Sequence, residues 1–121
     1  MKKQYRVKKS NEIEEIIKEK KYASNPYFSV YKRNNPNSTN FRYAISVGKK
    51  LGNAVVRNKF KRQVRAIVDS FNINLNDKID VFIIVKVKVL TIDFNQMQQE
   101  LKYLFRKQKL IKGEKNEKFF L

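Results

Sequence analysis

The chain has 121 residues, enough for one domain with a modest core, and its 28 basic and 11 acidic side chains give a formal charge of +17. It contains no cysteine and no histidine, which removes disulfides, thiolate or imidazole metal ligation, cysteine nucleophiles and histidine-based triads together. A basic excess of this size implies a polyanionic partner: nucleic acid, an acidic membrane surface or an acidic protein.

The acids are unevenly placed. None lies between Glu19 and Asp69, while Lys20 to Arg65 holds twelve Lys or Arg, so the basic block is charge patterning and not only a lysine-rich composition. No apolar run approaches membrane-spanning length, and the start MKKQYRVKK lacks the apolar stretch of a signal peptide. The expectation is a soluble cytoplasmic protein.

Residues 1–9 read as a basic arm able to lie extended along a surface. Asn11 followed by Glu14 resembles a capping box, after which Ile13, Ile16 and Ile17 make a short apolar stripe ending near Lys20. Tyr27 to Arg33 alternates, with Phe28 and Val30 on one face and Tyr27, Ser29 and Tyr31 on the other. Asn34 to Asn40 is a loop by composition, and Phe41 to Val47 alternates again. The two alternating runs are expected to form an antiparallel pair across that loop. Gly48 and Gly52 bracket Lys49-Lys50-Leu51, where the chain can turn sharply or form a further short strand.

From Ala54 the pattern is helical: Val56, Phe60, Val64, Ile67 and Phe71 recur at spacings of four, four, three and four. Arg57, Lys61 and Arg65 recur at every fourth position, with Asn58 and Arg62 beside them, on the side turned from the apolar stripe. A lone lysine-rich helix usually carries only a solvated charged face. Here three of the seven arginines lie between residues 57 and 65, in a chain whose default cation is lysine. Arginine in that setting points to a planar fork for phosphate. Ile79 to Val89 is apolar almost throughout, as a central strand with a possible parallel neighbour would be. Thr91 is placed to cap a last helix, with Asp93 in its first turn and Phe94, Met97, Leu101 and Leu104 as its buried stripe. From about residue 108 the basic chain end is expected to be a disordered tail. The whole, residues 1–121, reads as a single domain of α+β class: a two-layer sandwich with one mixed sheet and helices packed on it, in the order α-β-β-(β)-α-β-α.

Few residues here can do chemistry. Asp77 and Asp80 are the closest aspartates, but they flank a loop-to-strand junction beside Lys78 and make a poor Mg²⁺ pair. Gly48 to Gly52 lacks the spacing and the Lys-Ser/Thr ending of a phosphate loop. Tyr27, Tyr31 and Tyr43 lie on strands, where aromatic rings more often pack than read bases. Tyrosines on an open sheet face beside a basic helix are also the usual platform for stacking single-stranded bases.

The run Lys49-Lys50-x-Gly52-x-Ala54-Val55-x-Arg57-Asn58-x-x-Lys61-Arg62-x-x-Arg65 closely resembles the RNR signature of the bacterial ribonuclease P protein subunit. Arg6 to Lys9, Phe41 to Lys50 and Leu104 to Lys107 extend the resemblance over most of the chain. It implies a left-handed β-α-β crossover around the basic helix, against the usual hand. It also implies a catalytic RNA subunit and precursor tRNA as partners, with Mg²⁺ held mainly by RNA and no catalytic or metal site on the protein. Lys49, Lys50, Asn53, Arg57, Asn58, Lys59 and Arg62 match the catalytic-RNA contact. Ile13, Ile17, Tyr31, Lys61 and Arg65 match the cleft for the single-stranded 5′ leader. The chain departs from the family in two places: Ile13 and Ile17 stand where the family usually offers aromatic rings, and Lys20-Lys21-Tyr22 stands where a glycine is frequent. The implied activity is endonucleolytic removal of the leader by the holoenzyme, with catalysis in the RNA. Two alternatives from other classes are a ribosomal- or nucleoid-type nucleic-acid-binding protein without an enzymatic partner, and a DNA-binding regulator. No helix-turn-helix pair precedes the basic helix to support the last.

Overall fold

The structure, a computed structural model, describes residues 3–112. Three helices, α1 (Ser10–Lys18), α2 (Ala54–Ser70) and α3 (Phe94–Lys107), pack on one mixed sheet of β1 (Tyr22–Ser24), β2 (Phe28–Asn34), β3 (Arg42–Val47) and β4 (Ile79–Val85). The strand order is β1-β2-β4-β3. Strand β4 runs antiparallel to β2 and parallel to β3. It is the central strand its apolar run requires, because both its edges and both its faces are covered.

That placement corrects the expected β2–β3 pair: β4 lies between them. The Asn-rich loop is too long for a tight hairpin and wraps over the start of β4. Asn35 N–H donates to Lys78 O at 2.8 Å and Phe41 N–H to Leu75 O at 3.0 Å, so the loop finds its partners on the segment leading into β4. The extra strand is also elsewhere. Lys49–Leu51 is a single 3₁₀ turn, and the third strand before α2 is β1.

The larger core lies on the sheet face that carries Phe28, Val30, Val81 and Ile83, covered by Phe60, Val64 and Ile67 of α2 and by Met97, Leu101 and Leu104 of α3. Most of the expected stripe residues are therefore buried, with Val68 and Phe105 added, but Val56 is only partly buried and Phe94, at the first turn of α3, is exposed. Helix α1 covers the opposite face, where Ile16 packs with Phe82 and Val7. It adds a partial third layer to the sandwich. Its capping box does not form: Asn11 lies inside the helix and Lys9 precedes it without a side-chain cap. Helix α3 is capped by Asp93, whose carboxylate accepts from Gln96 N–H at 2.8 Å. Thr91 instead bonds Lys88 O within a preceding 3₁₀ turn.

The first and last described segments both pack on the fold. Arg6 pairs with Tyr43 at the outer edge of β3, Val7 is buried, and Leu110 and Ile111 join the main core. Leu110 and Ile111, which fall within the expected tail, are thus packed, and the rest of that tail, residues 113–121, lies outside the described residues.

Candidate nucleic-acid interface

Helix α2 carries two differently placed sets of cations. Its start is fixed by Asn53, whose side chain accepts from Val56 N–H at 3.1 Å, satisfying one of the orphan donors of the first turn. Just before it, Gly52 holds φ 146° and ψ −165°, and a Cβ there would stand 3.0 Å from Val56 Cβ. Gly48, at φ −70°, asks for no such freedom. Gly52→Ala is accordingly expected to cost about 1–3 kcal/mol, read as a lowered urea midpoint. A midpoint equal to that of the unsubstituted protein would mean the approach to α2 is not held in this conformation.

Lys49 and Lys50 are exposed on the turn, and Asn53, Asn58, Lys59 and Arg62 are exposed along the first half of α2. Arg57, Lys61 and Arg65 are half-buried at the border of the packed face. The fully solvent-facing row is therefore Asn58-Lys59-Arg62, one step round the helix from the arginine-lysine ladder. Arg57 Nε is buried with no hydrogen-bond partner.

On the far side of the sheet, α1 crosses from β3, where Glu12 pairs with Arg42, toward β1, with Ile16 packed in the Phe82 cluster. Arg65 of α2 and Ile13 of α1 come to one cleft at the edge strand β3. With Arg6, Lys8, Tyr43 and Ala44 they line a cleft of about 260 Å³. Tyr43 sends its hydroxyl into this basic setting without a hydrogen-bond partner. Burial pushes its pKa up to about 12, with Asp69 adding to the rise and Arg65 and Arg6 opposing it. The hydroxyl thus remains a neutral donor at physiological pH. Lys61 lies one turn before Arg65 on the same side of α2.

Tyr31 is on the α1 face of β2, opposite to Phe28 and Val30, and packs against the Ile16–Phe82 cluster. It does not line the Arg65 cleft, and neither does Ile17, which is exposed. The structure therefore brings Ile13 and Arg65 to one cleft and leaves Tyr31 and Ile17 outside its lining. Arg6 and Lys8 of the N-terminal arm are cleft residues to which sequence reasoning gave no role. Their signal was only general basicity.

Carboxylates do not assemble here. Asp80 is consumed by Arg33, Arg42 and Asn35, and Asp77 accepts from Asn74 Nδ2 at 2.9 Å. Among the described residues no three acidic side chains converge in a way that could hold a metal ion.

A family model described as Ribonuclease P matches residues 1–109. The chain is 39% identical over 115 residues to the ribonuclease P protein component of Acholeplasma laidlawii, covering 94% of this chain and 97% of that protein. It is 42% identical over 99 residues to the Mesoplasma florum component, covering 81% and 89%. Among solved structures it is similar to the Staphylococcus aureus RNase P protein, with a TM-score of 0.78, 35% identity and coverage of 88% of this chain and 97% of that one. The Thermotoga maritima RNase P protein gives a TM-score of 0.71 at 31% identity, covering 84% and 96%.

Proposed function

The chain belongs to the family of bacterial ribonuclease P protein components, and from that membership we propose that its two basic surfaces bind two different RNAs. The outer side, from the exposed Lys49, Lys50, Asn53, Asn58, Lys59 and Arg62 to the half-buried Arg57 at its border, takes the phosphates of a catalytic RNA subunit. The inner side, from Lys61 and Arg65 past Ile13 and Ile17 to Tyr31, takes the single-stranded 5′ leader of precursor tRNA. The observation that carries this is the division of one helix's cations between an open face and a cleft shared with α1. A ribosomal or nucleoid role is not favoured, since the relatives matched are ribonuclease P components.

In this proposal the hydrolytic step belongs to the RNA subunit. The chain has no histidine or cysteine to act as base or nucleophile, and Asp80 is held by two arginines. Nor do the described residues suit Mg²⁺, a hard ion that wants several converging oxygens; it is bound by RNA phosphates. The protein's cations replace part of the screening that Mg²⁺ otherwise supplies. No helix among the described residues is long and apolar enough to cross a membrane, and the cytoplasm is the proposed place of action.

The test is reconstitution with a bacterial ribonuclease P RNA on precursor tRNA. The mixture is expected to cleave at Mg²⁺ concentrations where RNA alone does not, and the RNA-free protein is expected to cleave nothing. Affinity for the RNA subunit should fall steeply with salt, and Lys59→Ala should reduce the log–log slope by roughly 0.7 to 0.9 if one phosphate contact is lost. Robust cleavage by protein alone would overturn the assignment of catalysis, and an unchanged slope would return Lys59 to the solvated surface.

A further inference from the structure

We propose that Tyr22 is a base-stacking residue for the single-stranded leader, supplying from the sheet the aromatic surface that α1 lacks. The inference rests on the proposed function of the α1 face and extends it to a residue that the resemblance assigns no role. Isoleucines at 13 and 17 can pack against a ribose or base edge, but they offer no π face. On β1, Tyr22 lies directly opposite Tyr31, their ring centroids 5.0 Å apart and their planes at 28°. Tyr31 in turn faces Phe82 on β4, 6.5 Å away at 45°, and Phe82 faces Ala44 on β3. One aromatic row therefore crosses the sheet and ends in a small residue beside the Arg65 cleft.

Exposure rises steadily along that row. Phe82 is 8% exposed, Tyr31 is half-buried and Tyr22 is 56% exposed. Phe82 anchors, Tyr31 supports, and Tyr22 leaves ring surface open. Cross-strand cohesion alone would be met by a β-branched partner for Tyr31 on this short edge strand. A flat ring held stacked at the solvent edge is instead what a nucleobase needs, because stacking tolerates any base and asks only for an ordered π face. Cations stand beside it for the backbone. Lys20 and Lys21 are exposed immediately before Tyr22. Lys20 holds the left-handed φ of 55° as the chain leaves α1 for β1.

The experiment measures equilibrium binding of reconstituted holoenzyme to precursor tRNA, to leaderless tRNA and to precursors lacking one leader base at a time. Wild type, Tyr22→Phe and Tyr22→Leu are compared. Tyr22→Leu is expected to weaken precursor binding about tenfold, with Tyr22→Phe near wild type and leaderless tRNA unaffected. The loss should vanish for the precursor abasic at one leader position, since no base remains there to stack. 2-Aminopurine at that position should be quenched by wild-type holoenzyme and less so by Tyr22→Leu. A loss equal across all abasic substrates, or no loss, assigns Tyr22 to sheet packing and overturns the proposal. If the wild type itself fails to prefer precursor over leaderless tRNA, the leader-cleft function falls and this inference with it. If it does prefer precursor while Tyr22→Leu matches it, only the stacking role falls.

Discussion

Asp80→Ala is expected to destabilise the protein by about 3–5 kcal/mol, a large part of the roughly 5–15 kcal/mol that holds a domain folded. Asp80 is completely buried, and its Cα partners on both neighbouring strands are arginines, Arg33 on β2 and Arg42 on β3. Arg33 Nε and Nη2 each lie 3.1 Å from Oδ2, while Arg42 Nε donates to Oδ1 at 3.0 Å and Nη2 to Oδ2 at 2.9 Å. Asn35 Nδ2 adds a further bond at 2.9 Å. The hydrogen bond to Asp80 is the main cause that raises the Arg42 pKa, with Glu12 adding to it and burial opposing. Removing the carboxylate leaves two mostly buried guanidinium groups facing each other without their shared acceptor. That is the costly way to break a buried ion pair. Asp80→Asn keeps the shape and one acceptor and should fall between. Glu12→Gln removes only a partly solvated contact and should cost less than about 1 kcal/mol. Urea unfolding of the three variants decides it. A loss below about 1 kcal/mol for Asp80→Ala would show that the network contributes little and that α1 is placed by apolar packing alone. The functional consequence is specific: Glu12 ties α1 to the same arginine, so loosening this network should displace Ile13 from Arg65.

Tyr31→Ala and Arg62→Ala are expected to separate the two RNA-binding surfaces. Tyr31 packs between Tyr22 and Phe82 on the α1 face, and Arg62 is exposed on α2. Tyr31 supports the Tyr22 ring on which a leader base is proposed to stack, and a stacked base is worth about 1–3 kcal/mol by alanine substitution. Tyr31→Ala should therefore weaken holoenzyme binding to precursor tRNA by roughly one to two powers of ten, leaving leaderless tRNA and assembly with the RNA subunit nearly unchanged. Arg62→Ala should do the reverse, weakening assembly while sparing substrate affinity once the complex is saturated. Binding curves for both variants against RNA subunit, precursor and mature tRNA make the comparison. Equal losses of precursor and mature tRNA by Tyr31→Ala would make Tyr31 a structural tyrosine, whose ring only supports Phe82 and α1.

What could be read from the chain alone was whatever repeats locally. The spacing from Val56 to Phe71 defined α2 and its buried side, and the RNR run with its clustered arginines pointed to RNA before any fold was known. Alternation likewise assigned Phe28 and Val30 to one face and Tyr31 to the other. Periodicity says which side of an element is covered; it does not say what covers it. That is why the tertiary structure alone decided that β4 separates β2 from β3, and that Asp80 joins Arg33 to Arg42 from 47 and 38 residues away. Strand β1, three residues long, is too short to show alternation, so Tyr22 became visible only through its register with Tyr31. Caps moved for the same reason: Thr91 and Asp93 are both good capping residues, and the turn preceding α3 selects Asp93. Leu110 and Ile111 look like part of a basic tail until the core offers them a place. Local pattern set the faces, and contacts distant in sequence set the partners, because pairing free energy depends on surfaces that no single window of the chain contains.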